Sequence, residues 1–155
     1  MGKEQKTIVV DTSLVLKWIV YEEDSLIAQN LLTEWATEHA VLLAPNLLMC
    51  EVTNSLYKKV RRDEITLKTA MYAIETLMTI NLNFQKVVDK ELSLKAFSFA
   101  LTYNLPATYD AHYLALAERE NCEFWTADER LYNSVRDRLS WVRLMADPPS
   151  ASMAS

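Results

Sequence analysis

The sequence predicts an α/β fold, a three-layer α/β/α sandwich around a central parallel sheet. Short β-like runs alternate with longer segments of helical periodicity along the chain, the arrangement that βαβ units produce. No internal repeat and no mid-chain linker interrupts the alternation. The length of 155 residues is also that of one domain with a sizeable core.

The elements follow in order. TIVV at 7–10 is the first strand candidate and leads into a helix over 13–21, followed by a second over 24–38. AVLLA at 40–44 is the second strand. The stretch 46–81 contains no strand pattern, only two helical segments at 46–62 and 66–81. Two such helices pack together as an arm beside the sheet. FQKVV at 84–88 is the third strand, with a helix over 89–103. The proline-marked turn NLPATY precedes a helix over 110–121, and CEFWT at 122–126 is the fourth strand. A helix over 129–138 and WVRLM at 141–145 complete the pattern. The domain therefore spans residues 1–146, and DPPSASMAS at 147–155, small, polar and proline-bearing, is expected to be a disordered tail.

Composition removes several classes of function. The one glycine is Gly2, so the glycine-rich loops by which backbones cradle nucleotide phosphates are excluded. A formal charge of −5 argues against holding nucleic acid by bulk electrostatics. Action on RNA would need a metal and a local basic patch. Cys50 and Cys122 lie in no CxxC and beside no histidine, so two buried, reduced thiols are expected rather than a zinc or redox site. No apolar run reaches the roughly 18 residues of a membrane span. The basic start reaches Asp11 too soon for a signal-peptide core, so a cytoplasmic protein is expected.

Ligands of open parallel sheets bind beyond the carboxyl ends of the strands. Asp11 directly follows TIVV, and Asp128 follows CEFWT by two residues. Glu51 lies early in the helix after AVLLAPN, and Asp110 opens the helix after NLPATY. Each has a second reading. Asp11 serves equally as a helix N-cap. Asp110 suits a helix first turn, but it aligns with Tyr113, Leu114 and Ala117 on an apolar stripe, where an inward charge needs a partner or a metal. In TADER, Thr126 and Glu129 have capping-box spacing, which leaves Asp128 spare. Glu51 sits at the edge of the Leu48, Val52, Leu56 stripe, a position where glutamates are commonly solvated. The set is more telling than its members. Carboxylates held close raise one another's pKa until a cation or protons relieve them. Oxygen ligands with few histidines suit Mg²⁺ or Mn²⁺, and a carboxylate-bound pair of such ions is a standard device for phosphodiester hydrolysis.

Four segments, VVDTSLVLKW, LLMCEVTNSL, PATYDAHYLALAE and FWTADERL, resemble in order the four acidic motifs of PIN domains, in particular those of VapC-like ribonucleases. YDAHYLALAE followed by TADERL at this spacing carries most of the specificity. The resemblance implies that Asp11, Glu51, Asp110 and Asp128 are the catalytic, metal-binding acids, with Ser13 and Thr126 in support. It further implies divalent-metal-dependent endonuclease activity on RNA, a homodimer, and an antitoxin partner that blocks the site. Two rivals stand beside it. A phosphatase of the haloacid-dehalogenase type also opens on an Asp after a first strand, but needs an acid two positions on, where this chain has Ser13. A non-catalytic PIN scaffold that only binds a protein partner is the other. Lys58, Lys59, Arg61 and Arg62 read as a phosphate patch or as a solvated helix end. Trp18, Trp35, Trp125 and Trp141 read as core.

Overall fold

The computed structural model describes residues 4–86 and 89–146. The order is β1 (Thr7–Val10), α1 (Thr12–Ile19), α2 (Ser25–Thr37), β2 (Val41–Pro45), α3 (Leu47–Arg61), α4 (Leu67–Thr79), β3 (Leu82–Gln85), α5 (Lys90–Thr102), α6 (Thr108–Arg119), β4 (Glu123–Thr126), α7 (Glu129–Val135) and β5 (Val142–Leu144). The strands form one sheet of order β3-β2-β1-β4-β5, parallel at every pairing. This is the expected sandwich.

β1 lies at the centre, and its Ile8, Val9 and Val10 are wholly buried, as β-branched residues covered on both faces should be. Because right-handed crossovers send the chain outward from β1 twice in opposite directions, the sheet has a topological switch point between β1 and β4. Helix α6 crosses β1, β2 and β4, with α5 packed beside it. It is buried nearly all round through Ala111, Tyr113, Leu114, Ala115, Leu116 and Ala117. On the other side α1 meets α2, α3 and α4. The expected pairing of α3 with α4 is present. Trp18, Trp35 and Trp125 form an edge-to-face chain in the core, and Trp141 sits half-buried against Phe99.

With so little glycine, other residues end the helices. His39, Asp63, Asn104 and Asn121 each take positive φ one residue beyond a helix C-cap. Each makes a Schellman turn: Ala40 N–H donates to Trp35 O, Glu64 to Lys59 O, Leu105 to Ala100 O and Cys122 to Ala117 O. Asp and Asn tolerate this left-handed conformation better than most residues.

Several expectations are corrected. β3 starts at Leu82, two residues before the expected run, and Val87 and Val88 lie outside the described residues, as does the tail at 147–155. Helix α6 starts at Thr108, so Asp110 sits inside its first turn. Cys50 is exposed on α3, whereas Cys122 is half-buried, its thiol pushed up to about 11 by burial and then by the charge of Glu120. Both thiols are free.

Candidate active site

Asp11 follows the carboxyl end of β1 and is the N-cap of α1. Its Oδ1 accepts from Leu14 N–H at 3.0 Å and from the Ser13 hydroxyl at 2.7 Å. Its Oδ2 accepts from the Thr126 hydroxyl at 2.5 Å. Thr126 is the last residue of β4, so this bond spans the switch point. The cap reading is therefore correct, and it occupies only one of the two oxygens. Asp11 is 4% exposed. Burial pushes its carboxyl up to about 7 against the three hydrogen bonds, with a further push from the charge of Asp110.

Ser13 and Thr126 lock the neighbouring turn. Ser13 Oγ lies 3.1 Å from Thr126 Oγ1 and accepts from Ala127 N–H at 3.0 Å. Thr126 Oγ1 also accepts from Asp128 N–H at 3.0 Å. With Thr126 committed there, the capping box expected with Glu129 does not form. Asp128 itself caps α7: its Oδ1 accepts from Arg130 and Leu131 N–H at 2.9 and 3.2 Å. It is not a spare acid. Both cap bonds use the same oxygen, as at Asp11.

Glu51, expected to be solvated, is half-buried and doubly held. Tyr113 donates to its Oε1 at 2.7 Å and Thr12 donates to the same oxygen at 3.3 Å. The two hydroxyls lie 3.1 Å apart. Asp110 stands at the meeting point of the set. It makes no N-cap bond, that position being Ala107. Burial pushes its carboxyl up to about 6, followed by the charges of Glu51 and Asp128. Asp110 also acts on Asp11, so the four acids from β1, α3, α6 and the β4–α7 turn interact at one sheet edge.

Thr12 and Tyr113 were not legible as site residues. Tyr113 fits the apolar stripe of α6, and is 1% exposed. The usable signal is chemical: a buried tyrosine hydroxyl requires a partner, and Tyr113 follows Asp110 by one helical turn. Its hydroxyl is held above the ordinary tyrosine range by burial and then by Glu51, so it remains a donor.

The basic cluster at the end of α3 divides. Lys59 pairs with Glu22 and Glu64 at 3.1 and 3.5 Å, and Arg61 lies over the Tyr57 ring at 5.9 Å. That favours a helix end over a phosphate patch. His112 Nδ1 is 2.7 Å from Thr108 O, and His39 belongs to the turn after α2.

The donor set has the chemistry that suits a hard divalent cation: it is all oxygen, and burial with neighbouring negative charge makes Asp11 and Asp110 resist ionisation. Among the described residues no group of three His, Cys, Asp or Glu side chains forms a ready-made metal cage. The acids are held by protein donors, Asp11 through both oxygens and Asp128 through one.

The family model of the PIN domain matches residues 8–136. Ribonuclease VapC3 of Pyrobaculum aerophilum is 31% identical over 124 residues, covering 80% of this chain and 91% of its own. The crystal structure of VapC20 of Mycobacterium tuberculosis, a sarcin–ricin loop cleaving toxin, superposes with a TM-score of 0.60 at 17% identity, covering 83% of this chain and 95% of its own. A toxin–antitoxin complex from Klebsiella pneumoniae gives 0.60 at 15% identity, over 91% of this chain and 99% of its own. At such identities the solved structures speak for the fold.

Proposed function

Since the chain belongs to the PIN-domain family and is VapC-like, we propose that it is a divalent-metal-dependent endoribonuclease, the toxin of a toxin–antitoxin pair. The observation that carries this reading is the interaction of Asp11, Glu51, Asp110 and Asp128 at the switch point of the sheet. Mg²⁺ or Mn²⁺ is the cofactor the donor chemistry favours. Bound there, it would supply water activation and stabilisation of the leaving oxygen. The four acids would hold it. Tyr113 and Thr12 keep Glu51 oriented, and Ser13 with Thr126 does the same for Asp11.

The phosphatase rival loses its footing at Ser13, whose hydroxyl serves Asp11 and the β4–α7 turn. A non-catalytic scaffold remains the alternative outcome. Cleavage of RNA with Mn²⁺ and with EDTA, wild type beside Asp11→Asn, separates the two: the ribonuclease is active only as wild type with metal, and the scaffold never.

The proposed partners are single-stranded or looped RNA, an antitoxin that covers the acidic edge, and a second copy of the chain. On α4, Met71, Tyr72 and Met78 are exposed and offer surface for such a contact, while Leu77 is core. Light scattering at tens of micromolar should give a dimer. Among the described residues no helix is long and apolar enough to cross a membrane.

A further inference from the structure

A cleft of about 500 Å³ opens beside Asp110 and Asp128, within the roughly 300–1,000 Å³ of small-ligand sites. One wall is the turn after α5, with Asn104, Leu105 and Pro106, and the other is the start of α7, with the exposed Arg130 and the buried Leu131. Resting on the ribonuclease reading, we infer that this cleft seats one unpaired nucleotide of the RNA, next to the bond that is cut.

Three features fit that occupant. Arg130 is exposed and, among the described residues, makes no salt bridge. It lies two residues from Asp128, so a phosphate it pairs with lies beside the acids that would hold the metal. The half-buried Leu105 and the exposed Pro106 provide apolar surface for the flat face of a base. Asn104 is exposed at the mouth, and its amide carries both a donor and an acceptor for a base edge. Its φ of 51° belongs to the Schellman turn after α5, whose Leu105 N–H donates to Ala100 O, so its backbone is held by the fold. A cleft of about 500 Å³ is of a size for one unstacked base rather than a duplex, and sequence-specific RNA recognition typically uses unstacked bases. Arg130 binds the strand while the acids do the chemistry, so its loss should act on substrate affinity.

The test uses the full chain with Mn²⁺ and labelled single-stranded RNA substrates that differ in base near the cut site. Arg130→Ala should raise KM about tenfold with kcat nearly unchanged, the size of one charge-assisted hydrogen bond. The dependence of log KM on log salt should become shallower by about 0.7, one phosphate contact on a single strand. Arg130→Lys should recover part of the loss. Asn104→Gly, which suits the positive φ, should flatten the preference among bases. Calorimetric Mn²⁺ titration of both variants should match wild type. A KM unmoved in Arg130→Ala, or a weakened Mn²⁺ affinity, would overturn the nucleotide seat while leaving the ribonuclease standing. A wild type that cleaves no RNA would overturn both.

Discussion

Asp11 accepts hydrogen bonds on both carboxylate oxygens, and an asparagine keeps the shape and, through its amide oxygen, the cap, while it removes one charge and the acceptor for the Thr126 hydroxyl. Without metal, Asp11→Asn is therefore expected to melt at or above the wild-type midpoint, because a costly buried charge is gone. With excess Mn²⁺ the order should reverse, since only wild type gains the binding free energy. Equal Mn²⁺ shifts in both proteins would make Asp11 a cap and nothing more. Tyr113 invites a second experiment at this scale. Tyr113→Phe preserves the packing of α6 but removes the shorter of the two bonds to Glu51 Oε1. Outer hydrogen bonds to metal ligands are commonly worth about 10–100-fold in metal affinity or activity. A loss in that range, read by Mn²⁺ calorimetry and by kcat with a folded far-UV spectrum, is expected. An unchanged Mn²⁺ affinity would reduce Tyr113 to packing.

Helix α7 shows how one element serves stability and site at once. Asp128 caps it through Oδ1, so Asp128→Ala should cost about 1 kcal/mol of stability. Asp128→Ser restores the cap but offers no carboxylate, and should melt like wild type while failing to cleave RNA. Retained cleavage in the serine variant would remove Asp128 from the metal set. The helix ends offer a prediction independent of the site. His39 closes α2 at φ 55°, where an L-residue pays roughly 1–2 kcal/mol and glycine only its roughly 0.5–1 kcal/mol of extra chain entropy. His39→Gly should thus stabilise the protein by up to about 1 kcal/mol in urea unfolding. A lower midpoint would mean that the imidazole makes contacts worth more than the strain.

For the molecule as a whole, the acidic edge makes metal-free stability depend on pH in an unusual direction. Folding raises Asp11 from 3.8 to about 7 and Asp110 from 3.8 to about 6, so the folded state holds more protons than the unfolded state between about pH 4 and pH 7. The stabilisation is fully present below the unfolded value and is lost as pH rises through the folded values. In EDTA the unfolding free energy, and with it the thermal midpoint, should fall across that window, the former by at most roughly 4 kcal/mol from Asp11 at about 1.36 kcal/mol per pKa unit. Asp11→Asn should flatten the slope, and saturating Mn²⁺ should reverse it, because the ion binds the deprotonated acids. A flat wild-type profile in EDTA would show that the acids are solvated and independent. The fold class, the alternation of strands and helices, and the placement of Asp11, Glu51 and Asp128 at or soon after strand-to-helix junctions were readable from the sequence, as was that of Asp110 after the turn between two helices. Periodicity and turn chemistry are local, and they survive in a linear reading. The strand order was not readable, nor was the choice of Asp128 over Thr126 as the cap of α7. The partnership of Tyr113 with Glu51 was equally hidden. These are pairings between residues far apart in the chain, settled by which surfaces bury best against one another, and only the packed sheet brings β1 beside β4 so that the acids face one edge.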